Sequence, residues 1–142
     1  MKKIIPACIA VLCLFAAPLC ADEFPSLDEA QTLISKAIDT FSAGKMQEGM
    51  DMVKPYWNES PDKIDNLVVQ AKSQWDMISS NYGQKIGMEL ISAQPAGTSL
   101  TKMTWLAKYE KYGLRFTVML YRNNQGWSIV NFTYDDQLSN LF

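Results

Sequence analysis

The apolar positions of this chain change period half-way along, and the change predicts an architecture. Ala30, Leu33, Ile34, Ala37, Ile38 and Phe41 recur three and four residues apart, which gathers side chains on one face of an α-helix. Ser26 and Glu29 stand in the capping-box relation ahead of that run, and Gly44 closes it. A serine side chain takes up an orphan N–H at a helix start, and glycine tolerates the left-handed turn at its end. A shorter helix carries Met46, Met50 and Val53 on one face and is stopped by Pro55. Ser60-Pro61 opens a third helix, the serine as cap and the proline at its favoured first position. Its apolar stripe reads Ile64, Leu67, Val68, Ala71, Trp75, Ile78, Tyr82, with Gly83 just beyond.

From about residue 84 the alternation becomes that of strands. Four runs, at roughly 84–94, 99–111, 114–122 and 126–135, are separated by Pro95-Ala96-Gly97, Tyr112-Gly113 and Asn123-Asn124-Gln125-Gly126. Helices first and hairpins second predict an α+β domain, three N-terminal helices packed on a four-stranded antiparallel sheet. A final short turn, Leu138 to Phe142, is available to fold back as a cap.

Hairpin loops of even length would fix which side chains share a face. On that register Met88 lies across from Trp105, Tyr109 from Phe116, Ala107 from Val118, and Leu120 from Ile129. One face then collects Ile86, Met88, Leu90, Met103, Trp105, Ala107, Tyr109, Phe116, Val118, Leu120, Trp127, Ile129, Asn131 and Thr133, and must face the helices. The other carries Glu89, Thr104, Lys108, Glu110, Arg115 and Thr117 together with Leu106, Met119, Val130, Phe132 and Tyr134. A Glu110–Arg115 cross-strand pair supports the arrangement.

The N-terminus has a separate pattern. Met1-Lys2-Lys3 precedes 16 uncharged, almost wholly apolar residues, Ile4 to Leu19, and Leu19-Cys20-Ala21 precedes Asp22-Glu23. A basic start, an apolar run and small residues before a polar boundary are the parts of a secretory signal. The run is shorter than the ~20 residues that span a bilayer. Cleavage after Ala21 is expected, giving a periplasmic or secreted domain of residues 22–142 with no membrane-spanning segment. Lipidation at Cys20 is the minor alternative, since Leu19 and Ala17 match a lipoprotein motif poorly.

Cleavage would remove Cys8, Cys13 and Cys20, the chain's three cysteines. The mature domain must then be held by its core alone, without disulfides or thiolate ligands. Of 13 basic residues, Lys2 and Lys3 also leave, so 11 face 15 acidic ones. That balance, with no basic cluster, argues against nucleic-acid binding.

Three helices followed by an antiparallel sheet ending in Gly126-Trp127-Ser128-Ile129-Val130-Asn131-Phe132 resemble the nuclear transport factor 2-like superfamily, in particular its small exported bacterial members. There the last strand often begins Gly-Trp. The resemblance implies a cone, with a curved sheet wrapped round the first helix and a pocket at the open end. It implies several functions, because relatives include isomerases, dehydratases and cyclases as well as binding and dimerising modules, often paired through the outer sheet face. Fold alone therefore does not decide between them.

The chain contains no histidine. Ser-His-Asp and Cys-His catalysis, zinc sites built on nitrogen or sulfur, and a histidine pH switch are excluded for the mature domain. No glycine-rich dinucleotide or phosphate motif is present, and no cofactor is expected. An isomerase-like site would need a carboxylate inside the apolar cavity, whereas Glu89 and Glu110 point away from it on this register and Asp76 lies off its helix's stripe. The candidate ligand-binding residues are Tyr82, Tyr109, Asn131 and Thr133, with Trp105 beside them. Few polar groups in apolar surroundings commonly orient a small ligand, although a buried hydroxyl or amide is more often simply satisfied by a neighbour. Asp135-Asp136 is too little for calcium, and the methionines lack the close repeat of a copper site and read as core filling.

The expectation is an exported, non-catalytic domain that binds a small apolar ligand or a protein partner. It would form a homodimer through Leu106, Met119, Val130, Phe132 and Tyr134, a patch large enough to mark an interface. A cofactor-independent pocket enzyme using Tyr109 and a carboxylate is the alternative.

Overall fold

Ser26 does start the first helix: its hydroxyl accepts the Glu29 N–H at 3.2 Å. A computed structural model describes residues 22–142, and the export signal expected over residues 1–21 lies outside the described residues. Helix α1 spans Leu27–Ser42 and buries Ala30, Ile34, Ala37, Ile38 and Phe41. The chain leaves it through Gly44, whose φ of 96° lies in the left-handed region that disfavours a side chain. Helix α2, Met46–Val53, buries Met46, Met50 and Val53. It sits close against α1 because Gly49 has no side chain; a Cβ there would lie 2.5 Å from the Ala37 carbonyl oxygen. Helix α3, Pro61–Tyr82, has proline in its first turn. Ser60 caps it differently from the expectation, through its backbone carbonyl, which accepts the Lys63 and Ile64 N–H groups.

The sheet is a meander of order β1-β2-β3-β4, all antiparallel. Its strands are β1 (Lys85–Ala96), β2 (Leu100–Tyr109), β3 (Gly113–Arg122) and β4 (Trp127–Asp135). The three helices and four strands expected from periodicity are therefore all present. Met103, Trp105, Ala107, Tyr109, Phe116, Val118, Leu120 and Ile129 are buried on the inner face, against which α1 packs. Phe24 bridges to Trp127, and Trp57 to Ile129, so the segments flanking the helices cover part of the β4 edge.

Leu120 does pair with Ile129, but the first two hairpins are offset from the expected register: Met88 lies opposite Ala107, and Phe116 and Val118 lie opposite Trp105 and Met103, even shifts that keep each side chain on its face. The register also departs from uniform pairing at three places. Two irregularities in β1, beside Ile86 and Ile91, interrupt its pairing with β2. Ile86, expected inside, is 65% exposed. The third is between β3 and β4: Leu120 pairs with Ile129, but Met119 pairs with Asn131, leaving Val130 as the extra residue. A bulge of one residue exchanges the faces of everything beyond it. Phe132 consequently turns inward and is 3% exposed, packed near Phe41, Trp57 and Phe116. Tyr134 follows it inward, half-buried, while Asn131 and Thr133 turn outward and are exposed. The outer apolar patch thus loses Phe132 and Tyr134 and retains Leu106, Met119 and Val130.

The expected Glu110–Arg115 pair is replaced as well. Arg115 stands opposite Leu106 on one side and Asp135 on the other. It grips the Asp135 carboxylate with two hydrogen bonds of 3.0 and 2.6 Å. The C-terminal 3-10 turn, Leu138–Leu141, does fold back on β3, where Arg115 donates to the Asn140 carbonyl at 3.5 Å.

Candidate functional site

The interior of the cone is the natural place to look for chemistry, and among the described residues the Trp57 Nε1–H is the one buried side-chain polar atom without a hydrogen-bond partner. Trp105 on β2 is 1% exposed, and its Nε1–H donates to the Ser35 hydroxyl of α1 at 2.9 Å. Tyr109, four residues along the same face of β2, donates its hydroxyl to the Ser42 carbonyl at the end of α1. Burial pushes the Tyr109 phenol well above its ordinary range, outweighing the opposite influence of the Ser42 hydrogen bond. The hydroxyl therefore stays protonated and serves as a donor that fixes the last turn of α1 to the sheet.

Little space remains where α1 and α3 meet β3 and β4. Between Phe41, Ser42, Met46, Ala71, Trp75, Ile78, Leu114 and Tyr134 the void is about 10 Å3, about enough for a single water. The carboxylates lie elsewhere. Glu89 faces Lys108 at 3.4 Å on the outer face, Glu110 accepts the Gln84 N–H at 3.0 Å, and Asp76 is exposed on α3. Among the described residues no group of three or more metal-ligating side chains is assembled.

The five expected site residues therefore do not converge. Trp105 and Tyr109 are core residues with satisfied polar atoms, and Asn131 and Thr133 are on the outer face. Tyr82 ends α3 at the rim, where its hydroxyl donates to Asp136 Oδ2 at 3.0 Å. Its ring lies 6.1 Å from that of Tyr109 and 5.2 Å from that of Tyr112. Partial burial, with the Asp136 carboxylate adding to it, raises the Tyr82 phenol above its usual value.

Two clefts open on either side of the C-terminal half of α3. One, of about 370 Å3, is lined by Trp75, Ser79, Lys85, Tyr109 and Glu110 among others. Lys85 is not free there; its ammonium is held by the carboxylate and carbonyl of Asp39. The other, about 250 Å3, lies between α3 and the end of β4, with Gln74, Met77, Ile78, Tyr82, Leu114, Tyr134, Asp135 and Asp136 around it. Tyr134 donates to Gln74 Oε1 at 2.9 Å and Tyr112 to the Asp136 carbonyl at 3.1 Å. Sequence reasoning missed this second cleft, because Asp135-Asp136 points only to a calcium site and is too little for one. The available signal was the aromatic end of the α3 stripe at Tyr82, together with Tyr112 in the turn between β2 and β3.

A crystal structure of a Campylobacter jejuni protein, provisionally described as an NTF2-like transpeptidase, superimposes with a TM-score of 0.51. The match covers 75% of this chain and 99% of that one at 14% identity. The fold is nuclear transport factor 2-like. Two further NTF2-like matches have lower TM-scores. A Thiobacillus denitrificans protein, provisionally described as a calcium/calmodulin-dependent protein kinase type II association domain, matches at 0.47, with 12% identity over 80% of this chain and 96% of that one. An NTF2-like protein of unknown function from Silicibacter pomeroyi matches at 0.45, with 7% identity over 78% and 98%. No protein-family model matches the chain, and no curated protein does. At 14% identity the likeness to the Campylobacter jejuni structure establishes the NTF2-like architecture and leaves function to the residues.

Proposed function

We propose that this chain is an exported, non-catalytic recognition domain that works through its surface and not by enclosing a small molecule in its cone. The filled interior carries the reading. Tyr109 and Trp105, the polar groups best placed to orient a ligand, are committed to Ser42 and Ser35. The void among Phe41, Ala71, Ile78 and Leu114 is about 10 Å3, and the roomier cleft that Tyr109 borders opens at the surface beside Trp75 and Glu110. Ligand pockets generally offer several hundred Å3. An isomerase-like mechanism would further require a carboxylate at the apolar centre, and Glu89, Glu110 and Asp76 are exposed. Export rests on the Lys2-Lys3 start and the apolar run to Leu19. Self-association through Leu106, Met119 and Val130 belongs to the same reading, on a smaller patch than the sequence implied.

Titration with apolar fluorescent probes of fatty-acid and steroid size tests the central claim. The folded protein should show no saturable binding, and a one-to-one probe site would overturn the reading. N-terminal sequencing of protein recovered outside the cytoplasm should begin at Asp22; Met1 on membrane-bound material would remove the export part. Sedimentation at micromolar concentration, with Met119→Lys as the disrupting variant, checks self-association.

A further inference from the structure

We propose that the cleft between the C-terminal half of α3 and the end of β4 is a recognition site for an alkylammonium group. The cleft is about 250 Å3, below the usual range for drug-sized ligands. It suits a single group on a short arm, such as the end of a lysine side chain or a small quaternary amine.

Its chemistry is consistently that of a cation receptor. Two carboxylates border it, and they differ in charge balance. Asp135 is neutralised by Arg115 in a bidentate pair. Asp136 has no ion-pair partner among the described residues, and no lysine or arginine lines the cleft. Phenols hold Asp136 in place without cancelling its charge, Tyr82 at the carboxylate and Tyr112 at the carbonyl. The Tyr82 hydroxyl remains protonated, since its surroundings raise it, so it stays a donor throughout the physiological range.

The walls supply the rest. Tyr82 and Tyr134 present aromatic rings, which attract cations through the negative face of the π-system. Met77, 57% exposed at the mouth, and Ile78 offer apolar contact for the methylenes or methyl groups of an ammonium. An anion would meet two carboxylates and no cationic side chain in the lining, and one unpaired carboxylate is too few for a calcium ion. A guanidinium finds less here than an ammonium, because the single carboxylate already accepts from Tyr82 and the Gln137 side chain. Two free parallel acceptors, which arginine uses best, are not presented.

The proposal rests on the surface-recognition reading, and the two fail separately. Apolar probes interrogate the cone, whereas ammonium ions interrogate the cleft. The experiment is a nuclear magnetic resonance titration of the isotopically labelled protein at constant ionic strength, following the amides of Tyr82, Asp136 and Gln137. Probes are choline, its uncharged isostere 3,3-dimethylbutan-1-ol, and N-acetyl-lysine amide, each to about 10 mM, a tenfold excess over a millimolar dissociation constant. Choline or the lysine derivative should shift these signals saturably, and the neutral isostere should not. Tighter binding of choline points to a free quaternary amine, and tighter binding of acetyl-lysine amide to a lysine borne on a peptide. Asp136→Asn keeps an acceptor for Tyr82 and should weaken binding at least tenfold. Asp51→Asn, at an exposed position of α2, should leave it unchanged. Shifts that never saturate, an equal response to the neutral isostere, or full binding by Asp136→Asn would each overturn the proposal.

Discussion

The inner face of the sheet and the rim beside α3 are built from the same residue types and behave differently. Both contain tyrosines with partnered hydroxyls. At the centre, Tyr109 donates to a backbone carbonyl at the end of α1 and is buried, so its partner cannot exchange for water. At the rim, Tyr82, Tyr112 and Tyr134 bond to Asp136 and Gln74 in hydrogen bonds open to solvent. A buried hydrogen bond is costly to leave unmade, while an exposed one is readily replaced by water. The centre therefore specifies the fold, and the rim has polar groups to spare for another molecule.

The sharpest way to break this comparison is at β4, where adjacent residues have opposite surroundings. Phe132→Ala should destabilise the protein by about 3–5 kcal/mol, the range for deleting a buried aromatic side chain. Asn131→Ala should stay within about 0.5 kcal/mol, as surface substitutions do. Chemical denaturation measures both, and equal losses would mean that the Val130 bulge is misplaced.

Tyr109→Phe comes next, at about 1–3 kcal/mol, because the Ser42 carbonyl would be left buried without its donor. The pH dependence has a definite sign. Folding raises this phenol above its unfolded value near 10, so its contribution is fully present below about pH 10. It is lost as pH rises through the folded value. The wild type should weaken on the alkaline side, and Tyr109→Phe should flatten that limb in thermal melts. By contrast, Tyr82→Phe, which removes a more exposed hydroxyl, should change stability by less than about 1 kcal/mol.

The smallest effect is expected at the outer face. Arg115, chiefly through its hydrogen bonds, holds Asp135 below the ordinary carboxylate range. Stability from a depressed carboxylate is present above the unfolded value near 4, and is lost as pH falls through the folded one. Asp135 is 37% exposed, so solvent screening limits the pair to under about 1 kcal/mol. Arg115→Gln should produce that loss at neutral pH, and its difference from wild type should shrink as pH falls below the unfolded value near 4.

The helices were legible because their signals are local. Ser26 with Glu29, the stripe from Ala30 to Phe41, and Gly44 each act within one or two turns. The three hairpins were legible from their turn residues, and the inner positions of β2 and β3 followed from strict alternation. The bulge left a trace as well: Trp127 and Ile129 occupy odd positions, but Phe132 and Tyr134 occupy even ones. Apolar residues three apart in a strand can share a face only if one extra residue intervenes, and uniform alternation hid that.

By itself, then, the sequence determined the element order, the fold class and the absence of histidine chemistry, since each depends on residue type and short-range spacing. Tertiary structure alone decided whether the cone is open or filled. The answer depends on Ser35 and Ser42 of α1 meeting Trp105 and Tyr109 about 70 positions away, and on α3 closing over Phe41 and Leu114. It likewise decided which acid keeps an uncompensated charge. Arg115 stands across the ladder from Asp135 and leaves Asp136 to the tyrosines, and register, which depends on pairing between distant strands, makes that choice.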